Sequence, residues 1–311
     1  MSLSEQSESA ETKLTGSIDF KGYAKEQLTR VDAALDEYLP ADDVHPATIH
    51  AAMRHSIFAG GKRLRPILVL AAADACGGQR EGSMALACAV ECLHTFTLIH
   101  DDLPCMDDDD FRRGKPTCHK VYGDAIAVLA GDALQAFAFE LASFFPGAGP
   151  YRAGQACREL AIASGSVNVV AGQVLDLEAE GNTEITLDQL RTIHEKKTAS
   201  LLATSLRFGG ISAAASEEQL AALSIFGQQL GLAFQVIDDI LDTTQSSEVL
   251  GKTAGKDEAM GKATYPSILG LEEARAEAKR LTVLAKESLG VFGEDAALLL
   301  AAADYLLDRD Y

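Results

Sequence analysis

Basic residues are in short supply: 27 lysines and arginines stand against 46 aspartates and glutamates, giving a net charge of −19. No basic stripe runs along the 311 residues, which argues against nucleic acid as a partner, since nothing would neutralise a phosphate backbone. Anionic small molecules must then enter through local positive groups and metal ions. Cysteine is sparse as well, and the six present (Cys76, Cys88, Cys92, Cys105, Cys118, Cys157) show no zinc-type pairing. Cys88 and Cys92 read as small buried apolar residues. A signal peptide and any run of about eighteen apolar residues are also missing. The expectation is a cytosolic protein with reduced thiols and no stable membrane insertion. No repeat of about 20–50 residues is evident, which disfavours a solenoid.

Helical periodicity is abundant, whereas strand-like alternation and hairpin dipeptides are scarce. With 47% hydrophobic and 23% charged residues, the chain can bury a substantial core. The expected fold is all-α, a single-domain bundle of about ten or more helices. Helices are expected over 18–39, 46–58, 64–76, 82–102, 119–144, 150–180, 186–207, 217–243, 265–288 and 294–308. Residues 1–16 are Ser- and Glu-rich and read as a disordered tail, leaving 17–311 as the helical domain.

The chemistry concentrates in Asp101-Asp102-Leu103-Pro104-Cys105-Met106-Asp107-Asp108-Asp109-Asp110-Phe111-Arg112-Arg113. Six carboxylates in ten residues follow an apolar helical stripe of Leu86, Val90, Leu93 and Thr97. Their mutual repulsion calls for a cation. His94, Thr97 and Asp101 share one helix face, and Pro104 should end the helix so that Asp107 folds back toward Asp101. Carboxylates on a semi-open site, with no His or Cys near in ligand spacing, suit Mg2+ better than Zn2+. An EF-hand loop fails because its sixth-position Gly and twelfth-position Glu are absent. A solvated acidic loop is the plainer reading of any one such run.

A second acidic cluster, far downstream, weakens that plainer reading. Gln235, Asp238 and Asp242 fall at steps of three and four, with Asp239 beside them. The same segment carries an apolar stripe through Leu223, Phe226, Leu230, Ala233, Ile237 and Leu241. Two acid-ended helices can clamp one polyphosphate through metal ions.

These motifs, together with Gly60-Gly61-Lys62-Arg63-Leu64-Arg65-Pro66 upstream, resemble the trans-isoprenyl diphosphate synthase family, in order from about Gly60 to about Gly270. Within it the chain most resembles short-chain bacterial farnesyl diphosphate synthases, with geranylgeranyl diphosphate synthases close behind. The resemblance implies a helical bundle around a deep central cavity, a homodimer, and a prenyltransferase condensing isopentenyl diphosphate with dimethylallyl or geranyl diphosphate. It implies Mg2+ as cofactor, roughly three ions with substrate bound, held by Asp101, Asp107, Asp238 and Asp242. Asp102 and Asp239 belong to the same two motifs.

Lys62 and Arg65, with His94 and Arg113, resemble the family site that holds isopentenyl diphosphate without metal. A basic, glycine-capped helix junction and a satisfied core histidine are the plainer alternatives. By family pattern Arg112 meets the allylic diphosphate and Arg113 the homoallylic one, though both also offset the acidic run. Gln173 and Asp176, one turn apart on an apolar helix, either cap a neighbour or line a site. The resemblance assigns Lys197 to the allylic diphosphate, and its carbonyl with Thr198 and Gln235 to the carbocation; an exposed Lys196-Lys197 pair is the alternative. Lys252 and Lys262 flank a glycine-rich stretch that reads as a lid rather than a phosphate loop, and the resemblance implies that both close on the allylic diphosphate. Phe96, five residues before Asp101, is the position where a bulky aromatic goes with a fifteen-carbon product. On a helical wheel Thr97 lies nearer the Asp101 face, which keeps geranylgeranyl output open. A terpene cyclase or a non-catalytic synthase subunit are the remaining alternatives, each expected to lack one of the motifs present here.

Overall fold

A computed structural model of the chain describes residues 18–79, 81–182, 184–244 and 262–308. Residues 1–16 and Lys252 lie outside the described residues.

Two long helices carry the acidic motifs. Helix α4 (Ser83–Asp101) is buried on nearly every side, because Ala85, Ala87, Cys88, Ala89 and Cys92 are small enough for neighbours to approach closely. Around it pack α1 (Phe20–Tyr38), α2 (Ala47–Ile57), α6 (Asp124–Ser143) and α7 (Gly154–Ser164), sharing a core that includes Val31, Leu35, Leu86, Leu93, Leu134 and Leu160. Helix α11 (Glu217–Thr244) presents Leu223, Phe226 and Leu230 to α3 (Leu64–Ala75), α13 (Leu271–Ser288) and α14 (Ala297–Leu307). Its far end packs Val236, Ile237, Ile240 and Leu241 beside α9 (Leu187–His194) and Tyr265 of α12 (Tyr265–Leu269). Each fully buried Leu or Phe in these layers contributes about 1.5–3 kcal/mol relative to exposure. Helix α10 (Ser200–Ser212) runs against both α3 and α11, joining the two halves.

Several expected helices are interrupted. The 119–144 segment divides at Gly123 (φ 81°) into α5 (Cys118–Tyr122) and α6. The 150–180 segment divides around Gly165 into α7 and α8 (Val169–Ala179). The 265–288 segment divides at Gly270 (φ 87°) into α12 and α13. In contrast, 186–207 continues unbroken through one π-helical turn, Glu195–Ala199, into α10. Two short antiparallel hairpins also form, β1 (Phe111–Arg112) with β2 (Lys115–Pro116), and β3 (Gly147–Ala148) with β4 (Tyr151–Arg152).

Four stretches are long and apolar enough to cross a bilayer by length and composition: α4, α6, 154–179 and α11. Internal packing accounts for the apolarity of α4 and α11. On α6 and α8, however, Val128, Leu129, Val170 and Val174 are exposed.

Candidate active site

Helix α4 ends at Asp101, and the chain then folds back so that the Asp107 amide donates to the Asp101 carbonyl at 2.9 Å. This is the reversal expected from Pro104. The cleft it creates, about 270 Å3, is lined by Asp101, Asp107 and Asp109 from α4 and its loop, and by Asp238 and Asp239 from α11. Both acidic motifs therefore face one space. Burial pushes the Asp101 carboxyl up to about 6, with Lys197 opposing and Asp107 adding to the rise. The donor set is all hard carboxylate oxygen, and its crowded negative charge fits a divalent cation such as Mg2+.

Lysines enter from two sides. Lys197 sits in the π-helical turn, where Gly172 of α8 meets its backbone so closely that a Cβ there would collide. The same approach sets Asp176, one turn beyond Gly172, against the Lys197 ammonium at 2.7 Å. Burial would lower that ammonium, but Asp101 and Asp176 hold it above the usual lysine value. The Lys196-Lys197 pair is thus divided: Lys196 donates outward to the Val167 carbonyl at 2.7 Å. Lys262 approaches Asp107 at 3.2 Å, Glu180 at 3.7 Å and Asp176 at 3.8 Å.

Asp102 points elsewhere. It is 3% exposed and accepts from the Arg112 Nε with both oxygens, at 2.8 and 2.9 Å. Arg112 is thereby fixed at the edge of the cleft. Asp242 is buried, at 6% exposed, and is not among the residues lining the cleft. Asp239 lines it but anchors a chain of hydrogen bonds: Thr198 to Gln235 at 3.1 Å, Gln235 to Asp239 at 3.1 Å, and the Tyr265 amide to Asp239 at 3.0 Å.

The cleft opens directly onto a larger cavity of about 520 Å3, the two sharing Leu98, Asp101, Arg112, Lys197, Thr198, Gln235 and Asp238. Phe96, Thr97, Met106, Val169, Val170, Val174, Leu177 and Leu201 make much of it apolar, and Gln173 also lines it. Phe96 and Thr97 both reach this wall, so the wheel argument that separated them does not hold: a wide cavity is lined by more than one stripe of α4. The Phe96 ring meets His100 edge-on at 4.9 Å.

A third compartment, about 380 Å3, is lined by Lys62, Arg65, His94, Arg113, Phe234 and Asp238 among others. Gly61 (φ 121°) lies where a Cβ would strike the Arg113 guanidinium, which donates to the Gly60 carbonyl. Only glycine permits that approach. Arg65 Nε has no hydrogen-bond partner, and burial lowers its pKa only to about 10, so it remains a cation. Burial first, then Arg65 and Arg113, holds His94 neutral and well below the usual histidine value.

Sequence reasoning missed the anions beneath this basic pocket. Arg63, 3% exposed, donates to Asp32 at 2.8 Å, to Glu91 at 2.9 Å and to the Ile57 carbonyl at 2.6 Å. Glu91 is the one carboxylate inside the apolar run of α4, and a buried charge requires a partner; that was the available signal. His194, held down at about 4 by burial, lines the cleft and was also missed. The absence of any histidine near the acidic loop needs correcting, because the fold brings His119 of α5 within 4.0 Å of Asp108.

A helical bundle with an acidic cleft opening onto an apolar cavity defines a prenyltransferase-type synthase. The chain belongs to the polyprenyl synthetase family, whose profile matches residues 46–290. A chloroplastic geranylgeranyl pyrophosphate synthase of Capsicum annuum is 50% identical, the match covering 94% of this chain and 79% of the relative. One of Catharanthus roseus, bearing the same name, is 48% identical over 95% and 83%. Among solved structures, an FPP/GFPP synthase of Zymomonas mobilis superposes with a TM-score of 0.81 at 37% identity, covering 94% of this chain and 99% of that one. A geranyltransferase of Helicobacter pylori, complexed with magnesium and isoprenyl diphosphate, gives 0.78 at 35% identity, covering 93% and 96%. The cytosolic location expected from the sequence is overturned by these comparisons, since these plant relatives are named as chloroplastic enzymes.

Proposed function

We propose that this prenyltransferase makes geranylgeranyl diphosphate, adding isopentenyl diphosphate to allylic diphosphates up to the fifteen-carbon one. The carrying observation is that Asp238 lines all three compartments, so acidic cleft, apolar cavity and basic pocket meet at one point. The longer product, in place of the farnesyl one expected from Phe96, is supported by the names of the plant relatives. Farnesyl output is the second reading, favoured by the Phe96 ring in the cavity wall.

Asp101, Asp107 and Asp238, which line the cleft, would hold Mg2+, whereas Asp242, expected as a fourth ligand, does not line it. When bound, the ions stabilise negative charge on the departing diphosphate. Lys197, Lys262 and Arg112 bind the allylic diphosphate from the rim. Thr198, Gln235 and the Lys197 carbonyl turn neutral dipoles toward the allylic cation, stabilising it without attacking it. Lys62, Arg65 and Arg113 hold the second diphosphate without metal, with neutral His94 contributing a hydrogen bond. The allylic C–O bond breaks and the isopentenyl double bond supplies the electrons of the new C–C bond. A proton then passes to the released diphosphate.

Exposed Val128 and Leu129 support a homodimer joined through α6, which sedimentation would test. Incubation with Mg2+, labelled isopentenyl diphosphate and each allylic primer, followed by product chromatography, tests the reaction. Twenty-carbon product is expected; a product that stops at fifteen carbons replaces this reading with the farnesyl one. Cyclic hydrocarbon without isopentenyl incorporation would indicate a cyclase, and no turnover with any primer a binding subunit.

A further inference from the structure

The acidic loop carries more carboxylates than the cleft uses, and it sorts them by position. Asp107 and Asp109 line the cleft, whereas Asp108 and Asp110 do not and are exposed. Outside the cleft, one ligand atom each from Asp108, Asp110 and His119 lies within 4.8 Å of the others. His119 is only 5% exposed, and its Nε2 has no hydrogen-bond partner while lying 4.0 Å from an Asp108 oxygen.

The state of that nitrogen follows from the other side of the ring. The Thr117 hydroxyl donates to the Asp109 carbonyl at 2.7 Å, so toward His119 Nδ1, at 3.1 Å, it has only a lone pair to offer. Nδ1 therefore carries the proton and donates it to Thr117. Nε2 is then the ring nitrogen that faces the carboxylates and would be the one to ligate an ion. Two carboxylates and a buried imidazole nitrogen converge as the ligands of a metal site would, and the Thr117 hydroxyl behind the ring supplies the second-shell hydrogen bond that orients it.

We propose that Asp108, Asp110 and His119 form a second cation site, separate from the catalytic cleft, that takes a first-row transition ion such as Zn2+ or Co2+. An imidazole nitrogen with two carboxylates favours these ions over Mg2+, which prefers an all-oxygen shell. Lys120 is the competing cation: its ammonium lies 2.6 Å from Asp110 and 3.9 Å from Asp108. Its exposed side chain can swing into solvent when the ion enters. A bound ion ties the loop bearing Asp107 and Asp109 to α5, so occupancy stiffens one wall of the cleft from outside.

The test uses the full chain, stripped of metal and held in excess Mg2+, titrated with Co2+ and followed by its d–d absorption. One saturable site per chain without a thiolate charge-transfer band is expected. Asp110→Asn, at an exposed position, should weaken it by about tenfold or more, and Lys120→Ala should tighten it. His119→Gln should remove it, and Asp101→Asn should leave it in place. No saturable signal, an unchanged affinity in Asp110→Asn, or loss of the signal in Asp101→Asn would each overturn the assignment.

Discussion

The acidic cleft and the basic pocket are built from charges of opposite sign, and α4 serves both. Glu91 under the basic pocket and Asp101 at the acidic cleft are ten residues apart, about 15 Å along the helix axis. In the basic pocket the protein balances part of its own charge: Arg63 is neutralised by Asp32 and Glu91. Arg65 and Arg113 are left facing outward to the space between. In the acidic cleft the balance is incomplete, and burial and neighbouring carboxylates keep Asp101 near 6. One region is ready to bind an anion as folded, whereas the other is arranged to bind an anion only through an added cation. On the proposed function such a pair would keep two diphosphates distinct, although the compartments share Asp238.

The sharpest way to break this comparison is to remove an acid. Asp101→Ala or Asp238→Ala should lower turnover by about 10²–10³-fold, comparable to deleting one donor to a developing charge, with the circular-dichroism spectrum unchanged. Wild-type rates from either variant would mean that the diphosphate leaves elsewhere. Next in size is the basic side. Glu91→Gln takes one of two carboxylates from a buried arginine and should cost about 3 kcal/mol in urea unfolding, with a higher KM for isopentenyl diphosphate. Unchanged stability would show that the charge beneath the pocket is not balanced there.

Phe96→Ala tests the cavity the two regions share. Longer products should gain by about tenfold over shorter ones, as for a pocket enlarged by a few methylenes, and an unaltered product profile removes Phe96 from the wall that sets length. The smallest effect concerns the state before metal binds. A carboxyl raised to about 6 contributes stability that is fully present below its unfolded value of 3.8 and lost as pH rises through about 6. Metal-free Asp101→Asn should therefore be more stable than the parent at neutral pH, by about 1 kcal/mol after allowance for partial exposure. In the parent, apparent Mg2+ affinity should fall as pH drops below about 6, because a proton then competes for Asp101. A thermal-shift series across pH and Mg2+ reads both, and a flat Mg2+ response below that pH would contradict the comparison.

Much of the site was legible because its information is local. The spacing of Asp101 and Asp107 around Pro104 determines a helix end and a fold-back within a few residues. The stripe from Leu223 to Leu241 determines which side of α11 is core, leaving the other to Gln235 and Asp238. Breaks at Gly123, Gly165 and Gly270 were less legible, since glycine inside a periodic pattern is tolerated in some helices and terminates others according to what packs on it.

By itself the sequence determined the helical class, both acidic motifs, and the basic turn that faces them, because a periodic pattern and a turn signal act over one or two helical turns. Only the tertiary structure decided which carboxylates meet. Lys262 reaches Asp107 across 155 positions of chain, and Asp108 and Asp110 turn from the cleft toward His119. The physical reason is that a charge is stabilised or strained by whatever lies within a few ångströms of it, and those neighbours come from helices that only packing brings together.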